Sequence, residues 1–381
     1  MTTILEEINM RTIFYLIRKE FIQIFRNKFI SKAIFAVPIV QMLLLVPAVT
    51  FEIKNIKLAV IDKDMTPESR GLISKLEGSK FFKVNFSTFS ENEANDLLHG
   101  NKCTVILNIP SGFGKDIGNG KPGKVLATID AINASTAELS WAYLSGVIRD
   151  YNMDIITENI NTTPVIPIPQ ILVTNRYWYN ELLNYKFYML PGILVILVTA
   201  IGLLLAGLNM VREKEIGTIE QINVTPVRKY HFIIAKMAPF WLIGLVDLAL
   251  GLLIGKLAFN IPFAGSILTM FLGGSIFLIA VLGLALFIST FSGTQQQYMF
   301  IAFFTMMIFM LMSGIFTPAE SMPMWAQDFN LINPVAYLMR INRMVMLKGS
   351  TIHDIRIDLY SLAAIATCFT TLAVSRYRKT A

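Results

Sequence analysis

Six stretches of the chain stay apolar for about twenty residues each, at about 29–51, 187–211, 237–259, 266–290, 298–317 and 357–375. A helix needs about 20 mainly apolar residues to cross roughly 30 Å of hydrocarbon. The pattern therefore predicts an α-helical membrane protein with six transmembrane helices. Before the first run, Met10, Ile13, Phe14, Ile17, Phe21, Ile24 and Phe25 fall on one helical stripe, with Arg11, Arg18, Lys19, Gln23 and Arg26 on the other. Such a stripe beside a span predicts an N-terminal interfacial helix over 1–28, lying flat on the leaflet. Residues 1–28 lack a short apolar core followed by a small-residue cleavage site, so the first run reads as an uncleaved anchor.

Between the first two runs the period changes. "IKLAVID" (56–62), "FFKVNF" (81–86), "CTVILNI" (103–109) and "KVLATID" (124–130) read as strands, and 67–78, 91–99 and about 134–160 as helices. This predicts an inserted mixed α/β domain over 52–185. "NTTPVIPIP" (161–169) is too Pro-rich for a helix and reads as an extended return strap. The remainder, 186–381, reads as a five-helix transmembrane domain with a connection at 212–236.

Composition agrees: 54% of residues are hydrophobic, 15% are charged and the mean hydropathy is +0.56. The net charge is +7, and residues 52–186 hold 14 of the 33 Lys and Arg and 15 of the 26 Asp and Glu, which leaves 19 and 11 beside the membrane. A basic excess confined to membrane flanks suits anionic headgroups, not nucleic acid.

Lys and Arg concentrate in cytoplasmic loops. They cluster at 1–28, at Arg212, Lys214, Arg228, Lys229 and Lys236, and at Arg376, Arg378 and Lys379. Six spans place all three clusters on one side, so both termini are expected in the cytoplasm and 52–185 outside. Arg340, Arg343, Lys348 and Arg356 run against the rule in a loop expected outside.

Several motifs fail on inspection. "GNGKPGK" (118–124) matches a phosphate-binding loop, but Val125 stands where Ser or Thr is required and a strand follows where a helix should, so it reads as a turn. Asp62 and Asp64 bracket a strand end with no further carboxylate nearby, which suits a solvated turn better than a cation site. Cys103 and Cys368 form no disulfide framework, and His99, His231 and His353 have no Cys or His at ligand spacing, so no metal is expected. Asp247 is the acid well inside a span; with no basic partner in a span it makes a poor proton relay, and it reads first as a polar contact pinning two helices. No catalytic set appears, so no enzyme activity is expected.

The densest charges lie in "NMVREKEIGTIEQINVTPVRKYHF" (209–232). Thr218 with Gln221 fits a capping box, so a short helix should start after Gly217 and run to about Asn223. Thr225 and Pro226 supply a second N-cap and N1 pair leading into the third span. Ile216, Ile219 and Ile222 share a helical face. A short helix isolated between two breaks suits a docking knob for a cytoplasmic partner. Glu213, Glu215 and Glu220 want cationic partners in a protein groove, since acids gain nothing from anionic lipid.

Here the chain resembles the permease subunits of ATP-binding-cassette exporters of the ABC-2 type, in the subtype with a large extracytoplasmic domain between spans one and two. The resemblance rests on "REKEIGTIEQINVTP" (212–226) with Lys236 and Pro239 after it. "IDKDMTPESR" (61–70), "IPSGF" (109–113), "RYWYN" (176–180), "LPG" (190–192), "STFSGTQQQ" (289–297), "SGIFTPAESMP" (313–323) and "NP" (333–334) follow in the expected order. Ile222 and Asn223 depart from the family's more usual Leu.

The resemblance implies that 212–236 carries the coupling helix, which seats in a groove of the ATPase subunit. Its residues would be Arg212, Glu213, Glu215, Gly217, Thr218, Glu220, Thr225 and Pro226. Helix 10–28 looks like the family's interfacial elbow, and 313–356 like the outer re-entrant segment that shapes the exit through Ser313, Gly314, Pro318, Met322 and Pro323. It further implies no cofactor on this chain, ATP on a separate ATPase partner, a second permease copy or paralogue, and room for a periplasmic adaptor protein. The expected place is the cytoplasmic (inner) membrane of a prokaryote, and the expected activity is efflux of an amphiphilic or drug-like substrate. Two other readings stand beside it. A non-transporting membrane sensor needs only a few spans, against which six spans with Gly-rich helices such as "FLGGSIFLIAVLGLALF" (271–287) weigh. An ion-coupled transporter needs intramembrane ionisable groups, which are nearly absent.

Overall fold

In a computed structural model, residues 2–48, 55–132, 134–160, 179, 185–225, 227–261 and 263–377 are described. The chain forms two compact units, one made of Met1–Thr50 with Arg176–Ala381 and the other of Phe51–Asn175. The expected strap at 161–169 lies outside the described residues.

The inserted unit is built as its pattern predicts. Strands β1 (Ile56–Asp62), β2 (Phe82–Ser87), β3 (Val105–Ile109) and β4 (Leu126–Ile129) form one sheet in the order β2-β1-β3-β4, with β1 parallel to β2 and β3, and β4 antiparallel to β3. Helices α3 (Pro67–Glu77), α4 (Glu91–His99), α5 (Phe113–Gly118) and α6 (Ala134–Ile160) accompany it. Leu58, Val60, Val105 and Leu107 bury one face with Leu72 and Leu76 of α3 and Leu144 of α6. Ala59, Ile61 and Ile106 bury the other with Ala94 of α4. A central strand covered on both faces loses its alternation, which is why β1 reads as a continuous apolar run.

The turn after β1 is sealed by its own carboxylates. Asp62 Oδ1 accepts the backbone N–H groups of Asp64 and Met65, at 3.0 Å each, and Asp64 accepts those of Gly112 at 2.6 Å and Gly114 at 2.8 Å. The Thr66 hydroxyl donates to Asp64 as well; it and these N–H groups hold that carboxyl below the usual range against the opposing effect of burial. The pair closes a turn. "GNGKPGK" also forms a turn, between the end of α5 and the start of β4.

In the other unit, α1 (Thr2–Arg26) and α2 (Lys28–Ala48) precede the bundle helices α7 (Tyr185–Ala200), α8 (Ala206–Glu215), α9 (Thr218–Asn223), α10 (Lys229–Phe259), α11 (Ile267–Phe291) and α12 (Gln295–Met312). Then come α13 (Met324–Phe329), α14 (Pro334–Lys348) and α15 (Arg356–Arg376). Among the described residues, five helices are long and apolar enough to cross a membrane: Tyr185–Glu215, Lys229–Phe259, Ile267–Phe291, Gln295–Met312 and Arg356–Arg376. At the first expected span the apolar helix is shorter, Ile34–Ala48. The expected 298–317 span ends at Met312, because Gly314 adopts a left-handed conformation (φ 85°).

Helix α14 lies in the stretch expected to be a re-entrant segment and outer loop. Its Val335, Leu338, Ile341 and Val345 are buried in the bundle core with residues of α7 and α11. Its basic residues are occupied within the chain, Arg340 against Asp358 at 2.7 Å and Arg343 4.0 Å over the Tyr188 ring, so they say little about sidedness.

Between α7 and α8 the helix widens to a π turn, Ile201–Leu205, whose Leu203 carbonyl accepts the buried Tyr298 hydroxyl. A Cβ on Gly207 would fall inside that hydroxyl. Gly207→Ala is therefore expected to cost about 1–3 kcal/mol through overpacking, read as a lower melting temperature of the purified protein. Unchanged melting would contradict this packing.

Candidate functional site

The described structure gathers the connection at one end of the bundle. There the ends of α8, α11 and α15 meet the start of α10, and Met210, Ile219, Phe232, Ile233, Leu286, Ala373 and Tyr377 close a small apolar cluster. Burial, with the Glu213 charge nearby, pushes the Tyr377 phenol up to about 12.

Helix α9 spans Thr218–Asn223, as expected, but it starts for a different reason. Thr218 donates its hydroxyl back to the Glu213 carbonyl at 3.3 Å and is the helix's first residue, so it is no capping-box residue. The break is made by Gly217, whose φ of 79° lies in the region that favours glycine, with its N–H on the Lys214 carbonyl at 3.1 Å. The second helix start also differs: α10 begins at Lys229 behind Arg228, beyond Thr225, and Pro226 lies outside the described residues.

Three consecutive charges tie the connection to other helices. Lys214 Nζ donates to the Ser289 carbonyl at 2.5 Å and approaches those of Thr290 and Ser292 at 3.4 Å, which satisfies the C-terminus of α11. Glu215 accepts the Gln295 N–H at 2.7 Å and its side-chain amide, at the N-terminus of α12. Glu213 is 2% exposed and faces inward, 2.6 Å from Lys19 of α1 and 2.8 Å from Lys236 of α10. Lys236 donates to Glu20 and Asn209 at 2.7 Å each, and Lys19 reaches Glu20 at 2.9 Å. The Lys236 contact with Glu213 is a close charge pair without hydrogen-bond alignment. Burial opposes the Lys19 charge, yet Glu20 and Glu213 hold its pKa above the ordinary lysine value.

This pairing of buried Glu20, Glu213 and Lys236 with half-exposed Lys19 corrects the expectation that Glu213 reaches into a partner's groove, since it is engaged within the chain, while Glu215 stays exposed beside Gln295. It also brings in residues that the sequence reading missed, Lys19, Glu20, Asn209 and Lys214, and gives Lys236 a buried role. The reading of α1 changes with it. Glu20 and Ile24 are its buried face, while Phe14, Tyr15, Ile22 and Phe25 are exposed.

Among the described residues, what the connection exposes is compact. Ile216 is 63% and Val224 76% exposed, and Arg212 and Glu220 are exposed beside them. Ile219 turns inward, so Ile216 and Ile219 do not share a face as expected, and the Ile222 side chain lies outside the described residues.

The other candidate residues lie apart. Ser313 and Gly314 are buried after α12, Met322 is half-buried, and Pro318 and Pro323 are exposed. Next to them Met324 and Trp325 expose large apolar side chains, and buried Asn333 ties α14 to α12 by donating to the Phe309 carbonyl at 2.8 Å. Asp247 is 1% exposed, and neither carboxylate oxygen has a hydrogen-bond partner among the described residues, so no polar contact between helices is seen at it there.

Comparison with known proteins accords with this arrangement. Residues 29–375 match the family described as ABC-2 family transporter protein. Among relatives, the chain is 27% identical over 365 residues to the probable multidrug ABC transporter permease YbhR of Escherichia coli, covering 96% of this chain and 97% of that protein. It is 26% identical over 330 residues to the inner membrane transport permease YhhJ of Escherichia coli, covering 85% of each. ABC transporter G family member 20 of Dictyostelium discoideum is 24% identical over 360 residues, 88% of this chain and 46% of that protein.

Proposed function

This chain belongs to the ABC-2 family of transporter proteins, as a transport permease subunit, and we propose that it exports an amphiphilic or drug-like substrate outward with ATP hydrolysed by a separate subunit. The observation that carries the reading is helix α9. It is hinged at Gly217, bears an exposed Glu220, is flanked by exposed Ile216 and Val224, and follows three residues in contact with α1, α10, α11 and α12. A push on such a knob reaches those four helices through short polar contacts, as an ATP-driven change requires. The sensor reading finds no support in the family membership.

Arg212, Gly217, Glu220 and Thr225 form the docking surface in this reading, with Pro226 between Thr225 and the start of α10. Glu213 and Glu215 act behind it as transmitting residues. A second permease copy or paralogue completes the pathway, in the cytoplasmic membrane of a prokaryote with both termini inside. An outer adaptor is compatible with the inserted α/β unit facing outward. Gly314 and the half-turn Ala319–Ser321 then shape the exit.

Sidedness is tested by labelling single cysteines with an impermeant maleimide in intact cells, on a Cys-free background. A cysteine at Ser90 is expected to react and one at Thr218 to be protected. The reverse pattern would invert the topology and end the export reading.

A further inference from the structure

Helix α6 separates two clefts in the inserted unit, and their linings differ in charge. The cleft against α3 carries both signs, and its Lys75 pairs with Asp154 across it. The other, of about 730 Å³, lies between α6, α5 and the "GNGKPGK" turn, and no acid lines it. Its walls are Leu72, Phe113, Trp141, Ile148 and Ile155, and its cations are Lys121 and Arg149. Lys121 and Arg149 are both exposed, and neither has an ion-pair partner among the described residues. Trp141 is 56% exposed, a large apolar surface that water disfavours.

We propose that this cleft binds an amphiphilic anion, a molecule with an apolar body and a carboxylate, sulfonate or phosphate head, such as a long-chain fatty acid. The volume lies within the range of small-molecule sites, and apolar walls with a few polar groups are their usual make-up. The lining assigns the two ends of the ligand. The body packs on Trp141, Phe113 and the aliphatic wall of α6, and the head meets Lys121 of the turn and Arg149 of the helix. An anion gains from both cations with no acid to repel it, whereas a cationic amphiphile of the same body meets only repulsion. The turn that failed as a nucleotide loop thus supplies one wall and one charge of a site for a different anion. This inference stands on the inserted unit alone and does not depend on the direction of transport.

The test uses the full chain in nanodiscs of zwitterionic phosphatidylcholine, with a diazirine analogue of palmitic acid as probe. A diazirine hexadecylamine serves as the matched cation, and labelled peptides are mapped by mass spectrometry. Saturable labelling of 113–125 and 141–156 is expected, competed by unlabelled palmitate and at least about tenfold weaker with the amine. Lys121→Glu with Arg149→Glu is expected to reduce it at least about fivefold; both side chains are exposed, so the fold tolerates the change. Ser145→Trp, which fills the cleft and leaves the cations in place, is expected to abolish it. Labelling confined to the spanning helices, equal labelling by the amine, or undiminished labelling of either variant would overturn the proposal.

Discussion

Lys236→Met is expected to destabilise the permease by about 3–5 kcal/mol, a large share of any domain's net stability. Lys236 is 1% exposed at its side chain and lies within 2.8 Å of both Glu20 and Glu213. Removing it leaves two carboxylates out of water with Lys19 alone between them, and uncompensated buried charge is what makes such a deletion costly. Lys236→Arg keeps the charge and should cost less. Adding Glu20→Gln to Lys236→Met should recover part of the loss, because one unpaired acid disappears. The thermal melt of the purified protein in detergent decides it. A melting point unchanged by Lys236→Met, or no recovery in the double variant, would show that the charges do not act as a unit.

Gly217→Val and Glu220→Lys should leave the permease folded and inserted while abolishing stimulated ATP hydrolysis. The two act by different means. Val at a φ of 79° is strained whatever the space around it, and no non-neighbouring atom lies within 4 Å of where its Cβ would stand to explain an effect by clash. Its cost of about 1–3 kcal/mol is relieved by re-aiming α9. Glu220→Lys keeps the backbone and reverses the exposed acid beside Ile216 and Val224. Reversing a charge seated in a complementary groove typically costs about 2–5 kcal/mol, which corresponds to at least about thirtyfold weaker association. Substrate-stimulated hydrolysis in reconstituted vesicles, read beside co-purification of the ATPase, checks both. Wild-type values for both would remove α9 from the coupling path.

Much of this was legible in the sequence, and the failures share a cause. Hydropathy located five of the six expected spans among the described residues because lipid demands long apolar runs, and the α3, α4 and α6 helices and their strands followed from period and capping. Helix α14 was not legible: Arg340, Arg343 and Asn342 interrupt its apolar run, and their neutralisation by Asp358, the Tyr188 ring and the Pro191 carbonyl comes from distant segments. Lys236 was counted as a charge that sets sidedness, since its partners Glu20 and Glu213 lie 216 and 23 residues away along the chain. Glu213 was assigned to an outside partner for the same reason, because a charge cluster in a short connection looks solvated until folding turns part of it inward. Glu220 is exposed and has no ion-pair partner among the described residues, which is the accessibility that the proposed docking requires. Gly217 was placed beside the start of the short helix, and its φ of 79° suits glycine, which removes the penalty of that turn.

The central claim, that α9 seats against an ATPase, is tested most directly by contact. Benzoylphenylalanine placed singly at Ile216, Glu220 and Val224, with exposed Leu126 of the inserted unit as control, is photolysed in native membranes, and crosslinked partners are identified by mass spectrometry. An ATP-binding-cassette ATPase joined at 216, 220 and 224 but not at 126 is the expected result. Its absence from all three positions, or an equal yield at 126, would contradict it.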